Sequence, residues 1–372
     1  MNFIAPQLYG SVYYYCMMVL ALTALFVLSS QSKDRLLNGS NIAPIKATIL
    51  AAIIIIFIGT RPLSGAFGDM KTYAYDYYCT ISPTSKILVD YSGEWLFTLL
   101  MKLCGILHLD FQGFCVIVSL LYVGLLLIAS YRLSRNHAYI ILLFIVSSFS
   151  FFSYGTNGVR NGLACSIVIL ALSYISGSNR DRLIAAILCF AAYSIHHSTA
   201  LPALAMFVSY YFIRGPKWCI AFWFMSIIIS IVAGDDLESF FAGLGFDDRL
   251  SGYIGNAANE ATMAQFSKTG FRWDFLLFSF MPILLGWHVV MKRKITDRMY
   301  IVLLNTYILS NAFWVMVIRA SFSNRFAYLS WFMYGLVLAY PLVKVSVFRR
   351  QGVVAGLILM AQVAFNIFMI LI

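Results

Sequence analysis

Two arginines sit where hydrophobic segments begin: Arg160 in the run GVRNGLA from Gly158, and Arg325 in the run NRFAY from Asn324. At the start of a helix a cation is opposed by the positive end of the helix dipole, and an anion would relieve that conflict. Helix N-terminal amides and a guanidinium fork both suit phosphate, so a pyrophosphate head group is a natural ligand. An arginine snorkelling to lipid phosphates at the membrane interface fits the same placement. Arg319 precedes Arg325 across Ser321, Ser323 and Asn324, so the two helix starts read as halves of one anionic pocket. Tyr328 lies one turn beyond Arg325 and can face the same way.

His196 and His197 close one apolar segment and lead into Ser198 and Thr199, which can cap the next helix. An imidazole at a membrane boundary can take a proton from a sugar hydroxyl near neutral pH, or serve there only as a hydrogen-bonding group. The segment from Arg61 to Gly93 carries Arg61 and then GDMKTYAYDYY, with Asp69, Tyr73, Tyr75, Asp76, Tyr77 and Tyr78, followed by Glu94. Carboxylates beside aromatic rings suit sugars, through hydrogen bonds at ring edges and stacking on faces. A tyrosine belt at the interface accounts for the same aromatics. The segment from Gly234 to Asp274 is long enough to cover a cleft, and its Arg249 and Arg272 could add to a basic pocket.

The elements that must position these groups are membrane helices. With 61% apolar residues, 11% charged residues and a mean hydropathy of +0.84, the 372-residue chain cannot be an ordinary soluble domain. The sequence predicts an all-α, polytopic integral membrane protein of one domain, 1–372, with outer loops 61–93 and 234–274 contributing to the site. Stretches near the length of a bilayer crossing, about 20 residues, recur throughout. They run Tyr9 to Leu28, Pro44 to Thr60, Phe111 to Tyr131, Ala138 to Tyr154, Gly158 to Ile175 and Leu183 to Ile195. Six more follow, Thr199 to Ile213, Trp218 to Ala233, Phe275 to Met291, Tyr300 to Ile318, Phe326 to Val345 and Val353 to Ile372, giving twelve crossings. Glu94 to Leu107 is short, carries Lys102, and is expected to be re-entrant or interfacial.

The charge of +11 orients the chain rather than marking a nucleic-acid surface. With both termini outside, the inner breaks hold 16 of the 26 basic residues but only Asp34, Asp181 and Asp297 of the 15 acidic ones. A crossing by Glu94 to Leu107 would invert every later loop and reverse most of that bias. The first span has neither a basic leader nor a small-residue cleavage site and is expected to stay as an anchor. Seven scattered cysteines show no metal-site or disulfide spacing.

The ordered set GDMKTY, EWLF from Glu94, GVRN, HHS from His196 and NRFAY resembles the EpsG-like family of Wzy-type exopolysaccharide and O-antigen polymerases, over nearly the whole chain. The resemblance implies a bacterial inner-membrane glycosyltransferase, GT-C-like in fold. Such proteins move a growing glycan from one undecaprenyl pyrophosphate carrier to a lipid-linked repeat unit on the periplasmic face. It implies no cofactor and no metal; donor and acceptor lipid-linked oligosaccharides, membrane lipids and a chain-length regulator are the partners it allows. His196 matches the family's His-x-Ser pattern and becomes the candidate base, with His197 in reserve. Arg160 and Arg325, helped by Arg319 and by Arg249 or Arg272, would hold the departing pyrophosphate; Asp69, Tyr73 and Glu94 would orient sugars, and Arg61 and Tyr328 would join them in binding substrate. Asn161 departs from the glutamine more usual after the arginine. An O-antigen ligase, a metal-dependent oligosaccharyl transferase and a lipid-linked oligosaccharide flippase are the alternatives.

Overall fold

The computed structural model describes residues 4–81, 93–243, 271–319 and 324–371, which are helical with no strand among them. In chain order the helices are α1 Tyr9–Ser29, α2 Lys33–Asn38, α3 Ala43–Gly59, α4 Met70–Ile81, α5 Trp95–Ile106, α6 Phe111–Ser134, α7 Ala138–Val146, α8 Phe149–Thr156 and α9 Val159–Ile175. They continue with α10 Asn179–Ile195, α11 Ala200–Phe212, α12 Lys217–Gly243, α13 Trp273–Trp287, α14 Arg298–Met316, α15 Asn324–Trp331, α16 Tyr334–Lys344 and α17 Gln351–Leu371.

Among the described residues, six stretches are long and apolar enough to cross a membrane: Pro6–Ser29, Phe111–Val146, Trp273–Lys292, Arg298–Met316, Arg325–Lys344 and Gln351–Leu371. Ala43–Gly59, Trp95–Ile106, Val159–Ile175 and Lys217–Ala233 are shorter apolar helices. The predicted crossings at Leu183 to Ile195 and Thr199 to Ile213 correspond to α10 and α11, helices of 17 and 13 residues.

Three local expectations change. Residues 70–81, read as loop, form α4, because Met70, Ala74 and Tyr77 fall at helical spacing and are buried while Tyr75 and Tyr78 point outward. Its polar aromatic composition hid the period. The predicted crossing Ala138 to Tyr154 is two helices, α7 and α8, parted at Ser147 and Ser148. The predicted crossing Phe326 to Val345 is likewise divided, into α15 and α16.

The helices group into two compact units, 1–199 with 338–372, and 200–337. In the first, α1 packs on α17, where a Cβ on Gly352 would collide with the Leu28 carbonyl and one on Gly356 would lie 2.6 Å from a Leu25 methyl. This Gly-x-x-x-Gly pair lets two backbones approach closely, as apolar helices must when packing rather than hydrophobic burial holds them together. The break between α7 and α8 is satisfied from outside. Gln362 donates to the Phe144 carbonyl at 2.8 Å, Tyr13 to Val146 at 2.6 Å, Asn366 to Ser147 at 2.8 Å and Tyr122 to Phe151 at 3.1 Å. Carbonyls freed in an apolar medium are tolerated only with such partners.

In the second unit, α14 packs against α11, α12, α13 and α15. The buried Asn311 of α14 accepts from Trp223 Nε1 at 2.7 Å and donates to Ser330 Oγ at 2.9 Å and Ser279 Oγ at 3.2 Å. Trp331 Nε1 donates to the same Ser279 hydroxyl at 2.7 Å. One amide therefore ties α12, α13 and α15 to α14.

Candidate active site

The site in the first unit is built on the turn between α8 and α9. Asn157 and Gly158 fill this turn, with their N–H groups returned to the Ser153 carbonyl, and Arg160 follows in the first turn of α9. Gly162 allows that turn to lie against α8, since a Cβ there would come within 2.6 Å of the Tyr154 carbonyl oxygen. Gly158 supplies no side-chain cap to the helix start.

Two neighbouring segments are pinned to this turn. Asp69 donates its backbone N–H to Asn157 Oδ1 at 2.9 Å, and Gly68, with φ +57°, makes the approach that a side chain would block. Arg61, only 2% exposed, donates from Nη1 to the Ile58 carbonyl at 2.7 Å and from Nη2 to the Thr156 carbonyl at 3.2 Å. It thus caps the carboxyl ends of α3 and α8 together, favourable for a cation at two helix C-termini. The sequence marks Arg61 for substrate; in the structure it is enclosed and occupied in holding the scaffold.

Over this scaffold Glu94, at the start of α5, reaches both Arg160 and His196. Arg160 Nη1 donates to Glu94 Oε2 at 2.5 Å, and Oε1 pairs with His196 Nδ1. The His197 N–H also donates to Oε1, at 3.3 Å. The Arg160 guanidinium lies 5.0 Å from the Phe97 ring centre and 5.6 Å from that of Tyr73, between two aromatic faces. Its Nε is enclosed and without a partner, while the side chain stays 30% exposed. Burial works against ionisation of Glu94, but the hydrogen bonds and charges of His196 and Arg160 outweigh it and hold the carboxyl down at about 2.

His196 ends α10 in extended conformation, φ −154° and ψ 115°, which turns its ring off the helix towards Glu94. Thr199 fixes that turn by donating its N–H and Oγ to the His196 carbonyl at 3.1 and 2.8 Å. His197 differs: its ring stacks on Tyr193 with centres 4.7 Å apart. Of the two, only His196 carries a carboxylate on its ring, bonded through Nδ1, with Nε2 on the opposite side of the ring.

Tyr73, Glu94, Arg160, His196 and His197 therefore come together, with Asp69 beside them through Asn157. Arg272, Arg319, Arg325 and Tyr328 belong to the second unit. Arg325 is in the first turn of α15, as the sequence predicts, and Arg272 makes a two-pronged pair with Asp274 at 2.9 and 2.6 Å. Arg249 lies outside the described residues. Phe97, Asn157 and Tyr193 are site residues that sequence reasoning missed. The EWLF run held the signal for Phe97, three residues after Glu94 and on the same face as the carboxylate once α5 is known to be a helix.

No curated protein and no solved structure matches the chain. Asp69, Tyr73, Glu94, Arg160, His196 and Arg325 all lie within residues 45–372, the stretch matched by the EpsG family model, and the chain belongs to the EpsG family.

Proposed function

We propose that the protein is a polysaccharide polymerase that joins lipid-linked repeat units by glycosyl transfer on the outer face of a bacterial inner membrane, with both termini outside. Membership of the EpsG family supports a membrane protein of polysaccharide polymerase type. The observation that carries the chemical assignment is the single carboxylate, Glu94, bonded to both a guanidinium and an imidazole. It brings a group suited to diphosphate and a group suited to a hydroxyl proton within one side chain of each other.

In the reaction the acceptor sugar hydroxyl attacks the anomeric carbon of the donor glycan from the face opposite its leaving group. The carbon–oxygen bond to the undecaprenyl diphosphate breaks, its electron pair staying on the diphosphate, and the hydroxyl proton passes to Nε2 of His196. Arg160 steadies the charge that grows on the departing diphosphate, a role worth roughly 2 to 4 kcal/mol for a well-placed donor. Proton removal by a base of this kind contributes on the order of a hundredfold or more. Configuration at the anomeric carbon is inverted, and no metal takes part. Asp69 and Tyr73 orient sugars, and Arg325 serves diphosphate on the same chemical grounds as Arg160, with Arg319, Arg249 and Arg272 as lesser donors.

Purified protein in nanodiscs, given lipid-linked repeat units as sole substrate, is expected to form polymer ladders. Arg160→Ala and His196→Ala, inserted at normal levels, are expected to give none. Full-length polymer from either variant overturns the assignment.

A further inference from the structure

We infer that Glu94 is a positioning residue that ties proton acceptance by His196 to an occupied diphosphate site, an inference that rests on the role just given to Arg160. Both oxygens of this carboxylate are engaged, Oε2 by Arg160 Nη1 and Oε1 by the His196 ring and the His197 N–H. Arg160 still has donors to offer, since only Nη1 is given to Glu94 and the side chain is 30% exposed. A diphosphate offers several charged oxygens to a guanidinium fork and competes well against one carboxylate.

When the guanidinium turns towards a diphosphate, the negative charge of Glu94 is no longer shared between two cations and bears on His196 alone. An adjacent carboxylate whose charge is unshared favours the imidazolium form. His196 is thereby a stronger base when the leaving group is seated than when the donor is absent. Linkage makes the effect reciprocal, so protonation of His196 tightens diphosphate binding by the same factor.

The other charged and titratable groups around the pair leave this relay intact. The ring of Tyr73 on α4 lies 5.6 Å from the Arg160 guanidinium. His197 is turned to Tyr193 of α10. Lys102 and Cys104 on α5, Cys165 on α9 and Cys189 on α10 stand more than a turn along their helices from these contacts.

The test uses the full chain in nanodiscs, labelled with nitrogen-15 histidine, the His196 resonances being assigned by their loss in His196→Gln. Titration over pH is run alone, with saturating inorganic pyrophosphate and with saturating farnesyl diphosphate. The expected result is a rise of about tenfold in the proton affinity of His196, one pH unit, when a diphosphate is bound. A rise in either arm supports the coupling, and the arm in which it occurs distinguishes the free from the lipid-linked diphosphate as its trigger. Glu94→Gln is expected to bind the probe yet lose most of the rise, and Arg160→Gln to show the raised affinity with no probe at all. An equal rise in Glu94→Gln, or Arg160-dependent binding without any rise, overturns the coupling and leaves the donor-site reading standing. Binding indifferent to Arg160→Ala, or no binding of either probe, overturns both.

Discussion

Glu94 and His196 are 102 residues apart in the chain, yet the carboxylate of one is bonded to the imidazole of the other. Arg160 closes the same carboxylate from the opposite oxygen at 2.5 Å. Residues contributed by α5, α9 and the end of α10 therefore depend on one another, and several consequences can be measured.

The first concerns pairing strength. Glu94 and Arg160 side chains are 19% and 30% exposed, so their bond is partly shielded from water. A double-mutant cycle with Glu94→Gln and Arg160→Gln is expected to show a coupling of about 1 kcal/mol or somewhat more in unfolding free energy. Additive losses would mean that the two side chains do not sense each other.

Acid should weaken this arrangement in a defined direction. The Glu94 carboxyl is held at about 2 in the folded chain against an ordinary 4.5. A carboxyl lowered on folding contributes stability that is complete above its unfolded value and is lost as pH falls towards the folded one. The stability gap between wild type and Glu94→Gln should thus be widest above about pH 5 and narrow steadily down to pH 3. Thermal unfolding of the two proteins across that range is the measurement, and a constant gap would show that the carboxylate is not held ionised by its partners.

Much of this site could be read from residues, but not its wiring. The placement of Arg160 and Arg325 in the first turns of their helices follows from Gly158 and from the polar run before Asn324, local signals that a single sequence carries. The apolar segments likewise follow from composition. From sequence Glu94 reads as a carboxylate near aromatics, suited to sugar, and nothing local reveals that α5 lies beside both α9 and the end of α10. The division of 138–156 was hidden for a related reason: its apolar run is continuous, and the groups that satisfy the break, Tyr13, Gln362 and Asn366, come from the two ends of the chain. Arg61 shows the limit of reading charge by location, since an outer-loop arginine suggested substrate and the structure spends it on two helix ends.

That last assignment predicts a separation of effects. Arg61→Lys can retain the charge but not a planar fork reaching two carbonyls, and is expected to lower stability by about 2 kcal/mol through lost charge-assisted bonds. Diphosphate affinity of the folded fraction should be unchanged. A specific loss of affinity at unchanged melting temperature would return Arg61 to the substrate.

Gly162→Ala tests the scaffold beneath Arg160. The new methyl would lie 2.6 Å from the Tyr154 carbonyl oxygen, and backbone cannot swing aside as a flexible side chain does. The expected result is a shift of α9 away from α8, a stability loss of about 1 to 3 kcal/mol and a fall in polymer yield beyond what the remaining folded protein explains. Restoring yield to the folded fraction alone would show that Arg160 tolerates the displacement.

Chelation separates the polymerase reading from a metal-dependent oligosaccharyl transferase. A divalent ion in such a site needs anionic oxygens to spare, and Glu94 has both of its oxygens engaged by Arg160, His196 and the His197 amide. Recruiting this carboxylate to a metal would break the pair that orients His196 and leave Arg160 without its carboxylate partner. In the proposed reaction the positive charge opposite the diphosphate comes from the guanidinium, which needs no ion to be bound first. Polymer formation by the reconstituted protein is therefore expected to continue at an undiminished rate in millimolar EDTA, and Asp69→Asn to lower the rate without creating any dependence on added magnesium or manganese. Loss of activity in chelator, restored by one divalent ion and abolished in Asp69→Asn, would transfer the stabilising role from Arg160 to a metal held by that carboxylate.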